Sequence, residues 1–436
     1  VFGGGTRWLL LAIPESWLEW VSQNVQLVGS GWDTAPTLLE ALHRNWAFEG
    51  GGPLPVPFAF HNGIFVPVNF LLGSTGALPY MIILLLLLLL PTRQFTRLGW
   101  ISWSVIFAIL ALAAEHWFAF LWVGIALSLF VAIVKSRPTI QVLQKPEIKQ
   151  WLLILGLSAG ITLIQGGFIT EVVRGIISRI FGLPVQSYHT FGFSLRWPPA
   201  LPSAHLGSLS IANLGQLAAL GAELGPALLM LLLLILWLPD QLKKHNWVGS
   251  GLAISAFLTL LFPIFFQYGV DRSITRFPAT ALWTGLLLAY PILWRSSYGW
   301  GWLKKTCASL VYVSLVASGV VILVTQFYSL PEEQYTYFVQ ELDVEASREF
   351  WNMLPEAAQI IDRPPERAVA LFGRAIRTNA GVYLTLPEWE AMIAAPDPQQ
   401  MADAGYGFIY LDRTWWDSFT PEQQQRFLQP CVDILN

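Results

Sequence analysis

Long uncharged apolar stretches recur along the chain, separated by short polar or basic turns. Eight of them approach the ~20 residues that cross a bilayer core of ~30 Å: 75–90, 98–114, 117–134, 151–168, 224–238, 247–267, 277–294 and 306–328. None contains Asp, Glu, Lys or Arg. Pro79, Pro226 and Pro263 are placed to start or kink helices, with the freed backbone groups satisfied inside a bundle. The pattern predicts an all-α polytopic membrane bundle, about eight transmembrane helices in this chain, with a small C-terminal extracytoplasmic α/β domain.

Between the spans the pattern changes. Residues 8–27 (WLLLAIPESWLEWVSQNVQL) and 34–48 (TAPTLLEALHRNWAF) mix Trp and Leu with scattered charges. That mixture suits helices lying in the membrane interface, or packed on the roof of the bundle. Residues 171–183 (EVVRGIISRIFGL) look similar, with Arg174 and Arg179 roughly on one side. The runs Asn69 to Pro91 and Asn213 to Pro239 share an Asn-led, leucine-rich plan. They suggest two four-helix halves of one topology, although leucine-rich helices also resemble one another by composition.

Beyond the last span the chain alternates. Residues 343–360 predict a helix, and Ala368–Phe372 and Phe408–Leu411 predict two strands paired in parallel. Short helices are expected at 387–395, 398–404 and 420–429, the last with Thr420 as N-cap and Pro421 at its first position. Three regions result: an extracytoplasmic segment with interfacial helices at 1–74, a transmembrane bundle at 75–330 with an outer loop at 169–223, and an acidic extracytoplasmic α/β domain at 331–436.

Composition narrows the class. Of 436 residues, 54% are apolar and 12% charged, with 21 Trp and 27 Phe. A soluble domain carries roughly 25% charged residues. A soluble enzyme, a disordered chain and a disulfide scaffold are excluded, and Cys307 and Cys431 define no framework. The chain begins at Val1 with no signal peptide, and is expected to be part of a longer protein with further helices upstream.

Charge supplies the sidedness. Residues 1–331 hold 18 Lys and Arg against 11 Asp and Glu, a net +7; residues 332–436 hold 7 Arg against 17 Asp and Glu, a net −10. All seven lysines (135, 145, 149, 243, 244, 304 and 305) fall in alternate connections, which the positive-inside rule makes cytoplasmic. The N-terminal segment, the 169–223 loop, the 269–276 loop and the tail are then extracytoplasmic.

Spans without ionisable groups argue against a pump or coupled carrier and push chemistry to the outer boundary of the bilayer. Gly156-Leu157-Ser158-Ala159-Gly160 matches a nucleophile-elbow pattern, but it lies inside a span. Small residues that let helices approach closely explain it better. No metal-ligand spacing, nucleotide fingerprint or basic patch for nucleic acid is present, so no cofactor is identifiable. Glu115 and His116, at a tight outer hairpin, either hydrate the turn or perform acid–base work. Asp271, Arg272 and Arg276 occupy the equivalent turn of the second half. Arg272 and Arg276, four apart, would present two guanidiniums to a phosphate or pyrophosphate, or anchor to ordinary lipid phosphates. Glu171 and Arg174 complete this candidate polar site. In the tail, Arg374 and Arg377 follow the first strand and Asp412 the second, where a parallel sheet binds ligands, or where Asp412 caps a helix.

The whole arrangement resembles the GT-C superfamily of membrane glycosyltransferases. The comparison rests on the bundle, the interfacial helices, the extracytoplasmic α/β tail, His61-Asn62-Gly63 leading to Asn69, and the run Gly405-Tyr406-Gly407-Phe408-Ile409-Tyr410-Leu411-Asp412. The resemblance implies sugar transfer from a polyprenyl-phosphate donor, with an acidic residue in the first external loop and often a divalent metal. That loop would lie upstream of Val1, so no catalytic residue is carried over. It also implies a lipid-phosphate role for Arg272 and Arg276. The alternative is a non-catalytic membrane subunit or scaffold, with a protein partner docked on the acidic tail; a flippase or permease ranks lower because the spans lack charge.

Overall fold

In the computed structural model, residues 5–28, 35–46, 56–61, 63–64, 77–89, 97–135, 145–182, 193–268, 274, 276–329, 341–349, 354–355, 360–362, 395–411 and 413–429 are described. They form two compact units, Val1–Pro331 and Glu332–Asn436.

The first unit is helical. Its helices are α1 (Glu15–Ser22), α2 (Leu38–Leu42), α3 (Ala77–Leu89), α4 (Arg97–Ala113), α5 (Glu115–Lys135), α6 (Pro146–Gln165), α7 (Phe168–Phe181), α8 (Leu214–Leu224), α9 (Ala227–Lys243), α10 (Trp247–Phe265), α11 (Arg276–Ser297) and α12 (Trp302–Ser329). Among the described residues five helices, α5, α6, α10, α11 and α12, are long and apolar enough to span a membrane. The α8–α9 pair, bent by 79°, makes a sixth if it counts as one broken span. α3 and α4 are apolar but shorter. The apolar helices thus suggest a membrane protein, with five or six among the described residues long and apolar enough to span against the eight expected.

The bend has a local cause. Gly225 takes a positive φ of 50°, ending α8, and Pro226 starts α9. The expected span at 224–238 therefore begins at the bend of a longer, angled element and covers most of α9. Proline likewise divides the expected 8–27 helix: a 3-10 turn at Arg7–Ala12 precedes Pro14, and α1 follows it. The 34–48 segment is only partly helical, as α2 gives way to strand β1 (Asn45–Trp46), paired antiparallel with β2 (Val56–Pro57). α7 covers most of the expected 171–183 helix, with Ile176, Ile177, Ile180 and Phe181 exposed beside Arg174 and Arg179.

The bundle centres on α10, which packs on α5, α9 and α11, while α4 packs on α5 and α6. Small residues decide the α5–α10 crossing. A Cβ on Gly124 would strike the carbonyl of Gly251, and one on Gly251 would strike Ile125. The expected close approach at Gly156 and Gly160 is not found, since a Cβ on either meets nothing within 4 Å. Three buried hydroxyls bond within their own helices: Ser104 donates to Trp100 O at 2.9 Å, Ser128 to Gly124 O at 2.8 Å and Thr259 to Ser255 O at 2.7 Å. This back-bonding lets polar side chains sit in an apolar interior.

The segment between α7 and α8 forms small sheets. β3 (Phe193–Leu195) pairs antiparallel with β6 (Phe266–Tyr268), and β4 (Ala200–Ser203) with β5 (Gly207–Ser210). Asn213 caps α8 by accepting from the amides of Gly215 at 2.9 Å and Gln216 at 3.1 Å.

In the second unit, β7 (Ile360–Asp362) pairs in parallel with β8 (Phe408–Tyr410). Among the described residues β8 has 360–362 as a parallel neighbour, whose first residue the sequence pattern assigns to the end of a helix; the described helix there is α13 (Glu341–Glu349). The expected strand at 368–372 and helix at 387–395 fall on or mostly on residues outside those described. α14 (Pro398–Asp403), α15 (Arg413–Asp417) and α16 (Pro421–Phe427) surround a core of Ile361, Met401, Tyr406, Trp415, Phe419 and Phe427. Thr420 caps α16 in a capping box with Gln423.

Candidate functional site

The 3-10 turn at residues 7–12 is docked on α8 through Thr6, whose amide and hydroxyl both donate to Ala222 O, at 3.2 and 3.0 Å. This sets Arg7 against Glu223, one residue from the end of α8. Both side chains are 0% exposed. Arg7 Nε donates to Glu223 Oε1 at 2.6 Å, and Nη2 pairs with the same oxygen. Nη1 donates to Phe58 O at 3.2 Å, and the guanidinium carbon stands 4.2 Å from the centre of the Phe58 ring. Nη2 also approaches His205 Nδ1 at 3.4 Å.

The other carboxylate oxygen is taken as well. Glu223 Oε2 accepts from the Gly63 amide at 2.7 Å and from Ser203 Oγ at 3.5 Å. His61 is buried with its ring 5.7 Å from that of His205, edge to face, and Trp46 lies 4.6 Å from Phe58. Glycine is required twice. A Cβ on Gly63 would collide with Ser203 Oγ, and one on Gly225 with Thr6 Oγ1.

Burial pulls the Arg7 guanidinium below its ordinary pKa, and the charge and hydrogen bond of Glu223 push it back up. Arginine is charged at any physiological pH, so the pair is ionic. With both carboxylate oxygens committed to donors, the cluster is a clamp rather than an open acid. It ties the N-terminal turn, the 58–63 segment, the β4–β5 hairpin and α8 to one another. It also offers no metal site: among the described residues no group of three or more His, Cys, Asp or Glu side chains could hold an ion.

A second polar site lies where α5 and α11 begin. Thr280 Oγ1 donates to Arg276 O at 2.9 Å, so its remaining contact, His116 Nε2 at 3.1 Å, is made with the imidazole as donor. The His116 ring packs on Phe277 at 5.3 Å. Arg276 is the first residue of α11 and is exposed. Glu115 opens α5 against Gly167, where a Cβ would strike its carboxylate.

The expected site residues are thus only partly brought together. Glu115, His116 and Arg276 share one end of the bundle. Glu171 and Arg174 pair with each other at 2.8 Å on α7, with Arg174 68% exposed, the geometry of a surface pair of little energetic weight. Asp271, Arg272, Arg374, Arg377 and Asp412 lie outside the described residues. Sequence reasoning missed Arg7 and Glu223, though Glu223 is the lone acid in the apolar run from 214 to 238.

No protein-family model, curated protein or solved structure matches this chain.

Proposed function

We propose that the chain is an integral membrane protein acting on a polyprenyl-phosphate-linked sugar at the membrane face opposite its lysines. The observation that carries this reading is that Arg276, exposed at the first residue of the apolar helix α11, is linked through its carbonyl and Thr280 to His116 of α5. A helix N-terminus presents unpaired amides and a positive dipole end, and arginine grips phosphate bidentately. At the rim of a membrane helix those groups meet a lipid phosphate while its chain stays in the bilayer.

In this reading α3 and α4 also cross the membrane, giving eight spans, and the acidic second unit shares the extracytoplasmic side with Arg276. Glu115 is the acid nearest to the site along α5. The membrane is the bacterial inner membrane, and a partner docks on the acidic unit.

The test is binding of a polyprenyl phosphate to the full chain and to Arg276→Gln. Loss of a charge-assisted contact should weaken binding about tenfold or more; unchanged affinity rejects the site. A non-catalytic subunit is the second reading, favoured by the closed Arg7–Glu223 clamp, which leaves the best-built polar cluster without an open acid. Sugar transfer from a polyprenyl-phosphate donor by the purified chain would reject that second reading.

A further inference from the structure

Near the lysine-bearing end of the bundle, α9, α11 and α12 enclose a cavity of ≈ 1190 Å³. Its walls are apolar, with Leu229, Leu233 and Leu236 from α9, Leu286 and Leu293 from α11, and Leu315 from α12. Its charged lining groups, Lys304 and Lys305, lie together in the first turn of α12, beside Tyr298 and Trp300. The other half of α12 is fastened to the rest of the unit, where Ser318 Oγ donates to Gly5 O at 3.1 Å, and α12 also packs on the 3-10 turn Phe58–Phe60.

Three features define the occupant. First, the volume exceeds the ~300–1,000 Å³ of pockets for compact small molecules, and the wall is hydrocarbon. Second, Lys304 to Leu315 is eleven residues of helix, ~16 Å at 1.5 Å per residue, which is half of a ~30 Å bilayer core. The groove is one leaflet deep. Third, the two lysines lie where head groups would lie, amid exposed Trp294, Tyr298 and Trp302, a belt of the kind found at membrane interfaces. Basic pockets between transmembrane helices on this side suit anionic head groups.

We propose that this groove binds an anionic diacyl phospholipid, its acyl chains between α9, α11 and α12 and its phosphate on Lys304 and Lys305. The site is separate from Arg276, which lies at the opposite end of α11.

The full-length protein, stripped of lipid in a neutral detergent, tests this by native mass spectrometry with phosphatidylglycerol and phosphatidylcholine of identical chains. Phosphatidylglycerol should bind more tightly, and Lys304→Gln/Lys305→Gln should lose about 30-fold of that affinity while leaving phosphatidylcholine unchanged. Ala308→Trp, which fills the groove, should weaken both lipids. Cys307 is an exposed free thiol in the lining and gives an independent readout. In a Cys431→Ser background, phosphatidylglycerol should slow its modification by a maleimide, and glycerol phosphate without chains should not. Equal binding of the two lipids, or full affinity in the double lysine variant, overturns the proposal. So does a polyprenyl phosphate that displaces phosphatidylglycerol, or Cys307 cross-linking between two copies of the chain in place of lipid protection.

Discussion

Arg7 and Glu223 lie 216 positions apart in the chain, yet their side chains form an ion pair with no exposure to solvent. Removing one member leaves an uncompensated buried charge, which costs about 3–5 kcal/mol. Arg7→Met and Glu223→Leu should each lower the melting temperature of the detergent-solubilised protein strongly. The double variant should recover much of the loss, because apolar replacements of similar volume remove both desolvation penalties. Additive losses in the double variant would show that the pair is not coupled.

Two neighbouring glycines should respond in opposite senses. Gly225 has a φ of 50° and faces Thr6 Oγ1, so Gly225→Ala combines strain with a collision. A loss of about 1–3 kcal/mol is expected in thermal unfolding. Gly221 lies in α8, where an added methyl group would meet nothing within 4 Å, so Gly221→Ala should be neutral or stabilise by up to about 1 kcal/mol.

The α5–α10 crossing makes a similar contrast. Gly124→Leu would force α5 off the Gly251 carbonyl and should reduce the yield of folded protein sharply. Gly156→Leu and Gly160→Leu, at positions with open space, should express and melt close to the parent. Equal damage at all three sites would refute the assignment of the close contact to Gly124.

The second unit should soften in acid. Asp397 Oδ1 accepts from the amides of Gln399 and Gln400, at 2.9 and 3.2 Å, and Oδ2 accepts from Arg426 at 2.7 Å. Hydrogen bonds to the Gln400 amide first, then to Gln399, with Arg426 adding charge, hold its pKa below the ordinary carboxylate range. A depressed folded pKa gives stability that is present above the unfolded value of about 3.9 and lost as pH falls through the folded one. Hydrogen exchange of the 397–427 amides, corrected for intrinsic rates, should therefore accelerate on acidification. Asp397→Asn should flatten that dependence.

Membrane helices are legible in the sequence because bilayer thickness writes itself into the length of apolar runs; α5, α6, α10, α11 and α12 follow from that alone. The cap at Thr420 is equally legible, being a local hydrogen-bond pattern. The Arg7–Glu223 clamp is not. Its members are remote in sequence, and a span boundary at 224 puts Glu223 one residue outside the stretch in which a lone acid would stand out. The pairing of Ile360–Asp362 with β8 is also hidden, because that strand is short and ends in an acid. For the polar rim, Glu115, His116 and Arg276 are visible as charges at turns, whereas the Thr280 hydroxyl that joins α5 to α11 carries no sequence signal.

The distance between Arg7 and Glu223 along the chain is also an interval in time. At roughly 5–20 residues per second, on the order of 10–40 s separate the synthesis of the arginine from that of its acid. During that interval α1 to α7 are made, yet the turn at residues 7–12 has neither its counter-ion nor the α8 carbonyl that Thr6 grips. The clamp therefore closes late and marks the arrival of α8. A nascent chain halted before residue 223 would carry the turn at residues 7–12 without this clamp, a difference that a protease or a quality-control factor at the membrane surface can read.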